Sequence, residues 1–489
     1  MNANHAEKSP KPHLLIYAHY YHPDVASTGQ ILRELAEGLL GQFSITVICV
    51  VPSYGGVVGV DYVKKSFYFE NINGVDVMRI RVPGFDKTNK LSRIKNISAY
   101  FFRAMRATTR VGSVDYVYSI SQPPILGGLL GVWGKWVKHA KYIYNIQDFN
   151  PEQTIATGYS KNQAILKMML MADKFSCKRA DKVIVVGRDM VETLRKRFLG
   201  KQMPTYAFIN NWIDENEIYP LGQNEPRIVA FKQKYGLINH FILMYSGNLG
   251  LYYDLENLIK VLNAFPKGVK TLDGRDVIFA FIGAGSMKEK LVRYQKENRM
   301  ENVLFIPYQS KADLNYSLNA ADVHWCVSAK GIKGVSVPSK LYGIMAAGKP
   351  VLAVLESGSE ARLILEETTC GLVSDPDDYV LFEQHIRWFI EHAGSEEVRN
   401  MGLRGRAYLV GKLTKDISIQ KYGEEILACG ASHGSRMAEL IPHSRRGADE
   451  QQLLQAFSEV DAHPLWSRSS AQRSAFCIQP PWSPYYNWR

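Results

Sequence analysis

The sequence predicts an α/β protein of two doubly wound, parallel-sheet halves. Three observations carry this. Apolar runs of strand length alternate with stretches of helical period through residues 13–200, and such alternation builds a parallel sheet with helices on both faces. The alternation loosens over KQMPTYAFINNWIDENEIYPLGQNE (201–225), where the local charge turns negative, and then starts again. In the second run glycine-rich turns stand between strand and helix, where open α/β sheets bind ligands. At 489 residues the chain is long enough to bury two such cores.

In the first half, strands are predicted at His13–Ala18, Ile45–Val51, Val75–Ile80, Asp115–Ile120, Tyr142–Ile146 and Lys182–Val186. Between the first two, TGQILRELAEGLL (28–40) places Ile31, Leu32, Leu35, Ala36, Leu39 and Leu40 on one helical face. In the second half, strands are predicted at His240–Tyr245, Val277–Ile282, Val303–Ile306, Val323–Val327 and Val351–Leu355. Helical patterns continue to about Leu427. The expected division is therefore 1–215, 216–428 and a tail, 429–489, whose mix of Ser, Arg, Gln, His and Pro reads as disordered or as a non-native extension.

Composition excludes several classes. Hydrophobic residues at 46% and charged residues at 22% are ordinary for a globular protein, which argues against wholesale disorder and fibrous folds. The six cysteines form no CxxC, so a disulfide framework is not expected. The N-terminus MNANHAEKSPKPH lacks an apolar signal core, and the apolar run PPILGGLLGVWG (123–134) is too short to span a bilayer. A cytoplasmic protein without a transmembrane helix is expected. The net charge is +12, and all of it lies early: residues 1–200 hold 27 Lys/Arg against 15 Asp/Glu, whereas 201–489 hold 32 of each. A one-sided basic half suggests an anionic partner there.

Five segments carry candidate chemistry. SGNLG (246–250) follows a strand; its glycines let backbone N–H groups approach an anion, or simply make a tight turn. FIGAGSMKEKL (281–291) repeats the strand–turn–helix pattern but is not a full GxGxxG, which disfavours a nicotinamide site. GVSVPSKLYGIMAAGKPVLAV (334–354) places Pro338 at a helix start with Ser339 and Lys340 in the first turn. A cation there is explained by a bound anion, or is a solvated surface lysine. YNIQDFNPEQ (144–153) sets Asp148 just past a strand end, either facing a ligand or capping the next helix. HYYHPDVASTG (19–29) offers His19, His22 and Asp24 as weak metal candidates; a substrate-lining loop with Ser27, Thr28 and Gly29 at the helix start fits better.

The order of these motifs resembles bacterial glycosyltransferase family 4, of the GT-B fold, and most nearly its fucosamine-transferase-like members in O-antigen and capsule (surface polysaccharide, lipopolysaccharide) synthesis. The resemblance covers residues 13–428 and is carried by HPD…STGQ, QDFNPE, SGNLG, the GAG turn, AADVHWCVS, VPSKLYGIMAAGKPVLA and SEARLILEETTCGLVSDPDD. Many family members carry an E-x7-E pair, yet no Glu occurs here from Val303 to Leu355; many also carry an Arg and a Lys after the SGNLG strand, which are absent here. Roles of those groups are not transferable.

The resemblance implies a retaining transferase whose two halves face a cleft where the chemistry occurs, with its nucleotide-sugar donor in the C-terminal half and its acceptor on the N-terminal half. The donor set it implies is Ser246, Gly247, Asn248, Gly250, Gly283, Gly285, Tyr308, Pro338 and Ser339, with Glu360 on the ribose hydroxyls. Lys340 would replace the missing cations at the diphosphate. Asp148 is expected to face the sugar, with His22, Asp24, Thr28 and Gly29 on the acceptor side. No metal and no cofactor are expected. The donor is expected to be a UDP-sugar, with N-acetylfucosamine suggested by the subgroup. The acceptor would be a polyprenyl-diphosphate-linked saccharide. KLSRIKNISAYFFRAMRATTR (90–110) and GLLGVWGKWVKHAK (128–141) interleave basic and aromatic residues, which suits peripheral attachment to the anionic inner face of the cytoplasmic membrane. The alternatives are a sugar nucleotide 2-epimerase on the same fold and a nucleic-acid-binding protein. No helix-turn-helix, zinc or RNP pattern supports the latter, so no nucleic-acid partner is expected.

Overall fold

The structure, a computed structural model, describes residues 10–431 apart from 25, 26, 55, 87, 88, 157 and 159. The expected tail from residue 432 on lies outside the described residues.

Two sheets form. The first contains β1 (His13–Tyr17), β2 (Ser44–Val50), β3 (Phe67–Ile72), β4 (Val75–Ile80), β5 (Tyr116–Ile120), β6 (Lys141–Ile146), β7 (Lys182–Val185) and β8 (Tyr206–Phe208), in the order β3-β4-β2-β1-β5-β6-β7-β8. All pairs are parallel except β3–β4. The second contains β9 (His240–Ser246), β10 (Asp276–Ile282), β11 (Val303–Ile306), β12 (Val323–Val327), β13 (Val351–Val354) and β14 (Gly371–Ser374), all parallel, in the order β11-β10-β9-β12-β13-β14. The apolar runs are continuous because helices cover both faces; Leu14, Leu15, Ile16 and Tyr17 of β1 are all buried. In each sheet the strand order reverses once beside the first strand, between β1 and β5 and between β9 and β12. These are the crevices where a doubly wound sheet receives ligands.

Every predicted strand is present to within a residue or two. β3, β8 and β14 were not anticipated. β3 (FYFENI) is a half-exposed edge strand whose pattern breaks into polar residues, and the other two have only three and four residues. The helix Ser27–Leu39 buries Leu32, Leu35, Ala36 and Leu39, as its period requires. The last helix, Lys415–Ala431, returns to the first sheet. Its Ile419, Tyr422 and Ile426 join Leu14, Ile16 and Tyr118 in one core, and Asn145 Nδ2 donates to the Tyr422 hydroxyl (3.0 Å). Cys49, Cys177, Cys326, Cys370 and Cys429 are free and buried. Among the described residues no helix is long and apolar enough to cross a membrane.

Candidate functional site

Three of the predicted motifs converge at the C-terminal edge of the second sheet. β9 and β10 end in register, Ser246 beside Ile282. The turns that follow are stacked: a Cβ on Gly283 would lie 1.9 Å from the Gly247 carbonyl oxygen, and one on Gly247 would lie 2.4 Å from Lys340 Cε. Both glycines have φ near 145°, a region side chains rarely adopt, so local geometry and close approach each demand glycine. Leu249 N donates to Ala284 O, and Met287 N to Leu249 O (both 2.9 Å), which ties the turns together. Asn248, Ala284, Gly285 and Ser286 remain open to solvent, while Gly250 is buried behind them.

Lys340 lies over this platform. Its Nζ is 3.5 Å from the centroid of Tyr253 and 5.1 Å from that of Tyr245. Among the described residues no carboxylate pairs with it. Burial pushes its pKa down to about 8, because removing an ammonium from water disfavours the charged form. An enclosed cation resting on aromatic faces without a counter-ion is suited to an anionic ligand. The helix Lys340–Ala346 begins two residues later than predicted, after Pro338 and Ser339, and has only seven residues. Likewise SGNLG does not run directly into a helix: a 3₁₀ turn, Leu251–Tyr253, intervenes before Leu255–Val261. The groups available to an anion here are therefore the glycine turns and Lys340 more than any helix dipole.

Across the cleft, Asp148 follows β6 and forms an isolated antiparallel bridge with Ser336; Phe149 N donates to Val335 O (2.9 Å). The loop that leads to Lys340 is thus held against Asp148. Burial raises the Asp148 carboxyl to about 6, partly offset by hydrogen bonds from Gln153, Gln122 and Ser336. Its charge in turn contributes to raising the Tyr253 phenol, so Asp148 and Lys340 approach the same ring from opposite halves. Asp148 also lines a cavity of about 410 Å³ in the first half, at the β1–β5 crevice, whose walls include His19, Tyr20, Tyr54, Arg93, Gln122 and Asn150.

The predicted acceptor-side residues sit one step behind this cavity. Thr28 Oγ1 donates to Gln122 Oε1 (2.9 Å), which turns the Gln122 amide toward Asp148. Asp24 accepts from Ser53 N and Tyr54 N (3.0–3.2 Å) and so fixes the loop that carries Tyr54. Gly29 lets its helix approach the Tyr20 carbonyl, 3.1 Å from where a Cβ would stand. His22 faces Arg33, whose Nη1 is 3.0 Å from its Nδ1, an arrangement unsuited to a metal. Among the described residues no group of three or more His, Cys, Asp or Glu side chains could hold a metal ion.

Two residues of the expected donor set are not brought to the glycine turns. Glu360 does not face the turns. Its Oε2 accepts from Arg188 N (2.9 Å) and Nε (2.8 Å), and its Oε1 from Asn210 Nδ2 (2.9 Å). Both oxygens take part in tying the two halves together. Tyr308 is exposed beyond β11, the edge strand, two strands away from β9. Conversely, Arg93, Gln122 and Tyr253 were not expected in these roles, and His19 was read only as part of a substrate-lining loop. Gln122, in SQPP just past β5, and His19, just past β1, carried a positional signal at the crevice.

The 4-like glycosyl transferase domain model matches residues 28–212, and the glycosyl transferases group 1 model matches residues 230–408. The chain belongs to this family of GT-B glycosyltransferases and is a glycosyltransferase of class EC 2.4. It is 25% identical over 350 residues to the probable glycosyltransferase WbjE of Pseudomonas aeruginosa, covering 71% of this chain and 83% of that protein. It is 23% identical over 368 residues to the putative colanic acid biosynthesis glycosyl transferase WcaI of Escherichia coli strain K12, covering 72% and 86%. Similar folds are seen in sucrose-phosphate synthase of Thermosynechococcus elongatus (TM-score 0.67, 15% identity, 86% of this chain and 100% of that one). Anabaena HepE in complex with UDP-glucose is also similar (0.60, 15%, 85% and 99%).

Proposed function

We propose that the protein transfers a sugar, with retention at the anomeric carbon, from a nucleoside-diphosphate donor to a lipid-linked saccharide during surface polysaccharide synthesis. Residues 216–428 hold the donor and residues 1–215 the acceptor. The observation that carries this reading is the uncompensated Lys340 ammonium packed over the Gly247 and Gly283 turns. The donor's diphosphate carries two negative charges and gains a third as it departs, and preorganised donors in a dry site lower the barrier to its departure. Asp148, on the opposite wall, faces the transferred sugar and stabilises positive charge at its anomeric carbon. A separate cavity in the first half favours a transferase over an epimerase, which needs no second substrate.

UDP is the favoured nucleotide, in keeping with the UDP-glucose complex of HepE. The names of WcaI and of WaaG, a glycosyltransferase involved in lipopolysaccharide biosynthesis, support a polysaccharide product. N-acetylated deoxyhexose is the sugar suggested by the resemblance. The acceptor's polyprenyl diphosphate places the enzyme at the inner face of the cytoplasmic membrane, supported by the basic helices of the first half.

The test is Lys340→Ala. Its donor KM should rise about tenfold or more, or turnover should be lost, with the melting temperature of the free protein maintained or increased. In the wild type the donor KM should climb as pH passes about 8, where Lys340 loses its charge. Wild-type kinetics in the variant, or an alkaline limb that survives the substitution, would overturn the reading.

A further inference from the structure

The cavity beside Asp148 contains one group that the fold leaves unused. His19 is only 8% exposed, and its Nε2 has no hydrogen-bond partner among the described residues. Its ring is wedged between Tyr20 and Tyr100, with centroids 4.2 and 4.8 Å away, and Asn96 is its hydrogen-bonding neighbour. Burial lowers its pKa to about 4, so the ring is neutral at physiological pH. Leaving such a polar atom buried and unpaired is costly, and native structures rarely do so without a ligand or an ordered solvent molecule. Either tautomer of a neutral imidazole is matched by a hydroxyl, which both donates and accepts.

The remaining walls suit a sugar. Tyr20 and Tyr54 meet edge-to-face at 5.1 Å, and Gln122, Asn150 and Asp148 supply convergent polar groups. Arg93 adds a cation from the helix Lys90–Thr108, and its charge is felt by Tyr20. Arg93 has no ion-pair partner among the described residues. Next to it on the same helix, Leu91 and Ile94 are exposed.

We propose that this cavity is the acceptor subsite and that it reads a glycosyl phosphate: His19 Nε2 bonds a ring hydroxyl, and Arg93 holds the phosphate on the anomeric oxygen. The apolar group esterified to that phosphate leaves the cavity past Leu91 and Ile94. The proposal rests on the assignment of the acceptor to the first half. A lipid diphosphate and a soluble sugar phosphate share this chemistry.

The test is calorimetric titration of the full chain, saturated with UDP, with three probes: farnesyl-diphosphoryl N-acetylglucosamine, N-acetylglucosamine 1-phosphate and octyl N-acetylglucosaminide. Both phosphorylated probes should bind about tenfold tighter than the octyl glycoside, the value of one charge-assisted hydrogen bond. Arg93→Gln should bring that ratio within about twofold. His19→Phe, which keeps the ring, should weaken all three probes alike by about tenfold. A further gain for the farnesyl probe over the 1-phosphate marks a lipid-linked acceptor, and equal binding marks a soluble one; both support the subsite. A ratio unchanged in Arg93→Gln, or no binding of any probe to the wild type, would overturn it. If His19→Phe fails to fold, the exposed Arg93 carries the test alone. UDP binding, followed by thermal shift, reports on the donor half separately.

Discussion

Asp148 and Lys340 are shifted in opposite directions by the same cause. Each is enclosed by protein, and enclosure penalises whichever form carries charge, so the acid rises to about 6 and the amine falls to about 8. Neither has an ion-pair partner among the described residues, which is the condition of groups kept for a substrate rather than for the fold. Asp148 allows a direct test. Its folded-state value lies above its ordinary value, so the folded protein holds this proton more tightly than the unfolded chain does. Its favourable contribution is full below about pH 3.8 and is lost as pH rises through about 6, and at pH 7 the ionised carboxylate opposes folding. Asp148→Asn should therefore stabilise the protein at pH 7 by on the order of 1–2 kcal/mol, a value reduced for its partly open side, and by much less at pH 4. The same variant should lose about 100-fold or more in kcat. Denaturant melts at the two pH values, paired with kinetics, check both halves of the claim. A variant that is fully active, or equally affected at both pH values, would show that Asp148 serves the fold instead.

The helix Leu126–Lys138 shows how closely an element can settle on the first sheet. Gly127, Gly128, Gly131 and Gly134 line its inner face and let it settle directly on β5 and β6. A Cβ on Gly131 would lie 2.0 Å from the buried Tyr142 ring, and one on Gly127 would lie 2.0 Å from the Ile120 carbonyl. Tyr142 has no room to move, since its hydroxyl also bonds Ser119 (2.9 Å) and Gly128 O (3.0 Å). Gly131→Ala should thus cost about 1–3 kcal/mol despite alanine's better helix propensity, whereas Gly411→Ala, in the helix Glu396–Lys412 with open space around it, should not. Chemical denaturation of the two variants distinguishes packing from propensity. The helix itself was legible as a sheet cover, but its closeness to the sheet was not, because that depends on tyrosines of other strands. The same distinction runs through the molecule. Strands buried on both faces announce themselves as apolar runs, and the site groups contiguous with strand ends, Asp148 and the two glycine turns, were legible for that reason. The contact of Glu360 with Arg188 was not legible because its partner is 172 residues earlier in the chain. His19 and Arg93 were assigned to other purposes because their shared cavity exists only after the helix Lys90–Thr108 packs beside the loop after β1.

At the scale of the whole molecule the early excess of positive charge acquires a location. The helices Lys90–Thr108, Leu126–Lys138 and Gln163–Arg179 cover one face of the first sheet side by side. Between them they hold a single acidic residue, Asp173, which is buried and paired with Arg197. Their outward faces expose Leu91, Ile94, Phe102, Trp136, Ile165, Met168 and Met171 among Lys95, Arg106, Lys167 and Lys178. Large apolar side chains interleaved with cations, without a neutralising carboxylate, match a membrane interface rather than bulk water. The third helix extends the surface beyond the two segments visible in the sequence. The cavity proposed for the acceptor is lined by Arg93 of the first of them, so docking this face would bring a lipid-borne phosphate to that residue without extracting its tail. The full chain should therefore bind vesicles containing phosphatidylglycerol, and lose them as salt is raised. Reversing two outward charges, Lys95→Glu with Arg106→Glu, should weaken vesicle binding by about tenfold or more, since each basic residue near such a surface is worth about 1 kcal/mol. Phe102→Ser should weaken it with little change in the salt dependence, because it removes apolar insertion and leaves the charge unchanged. UDP binding should be unaffected by all three substitutions, as they lie on the other half. Vesicle binding that is absent, or indifferent to both salt and the charge reversals, would assign this face to a protein partner instead.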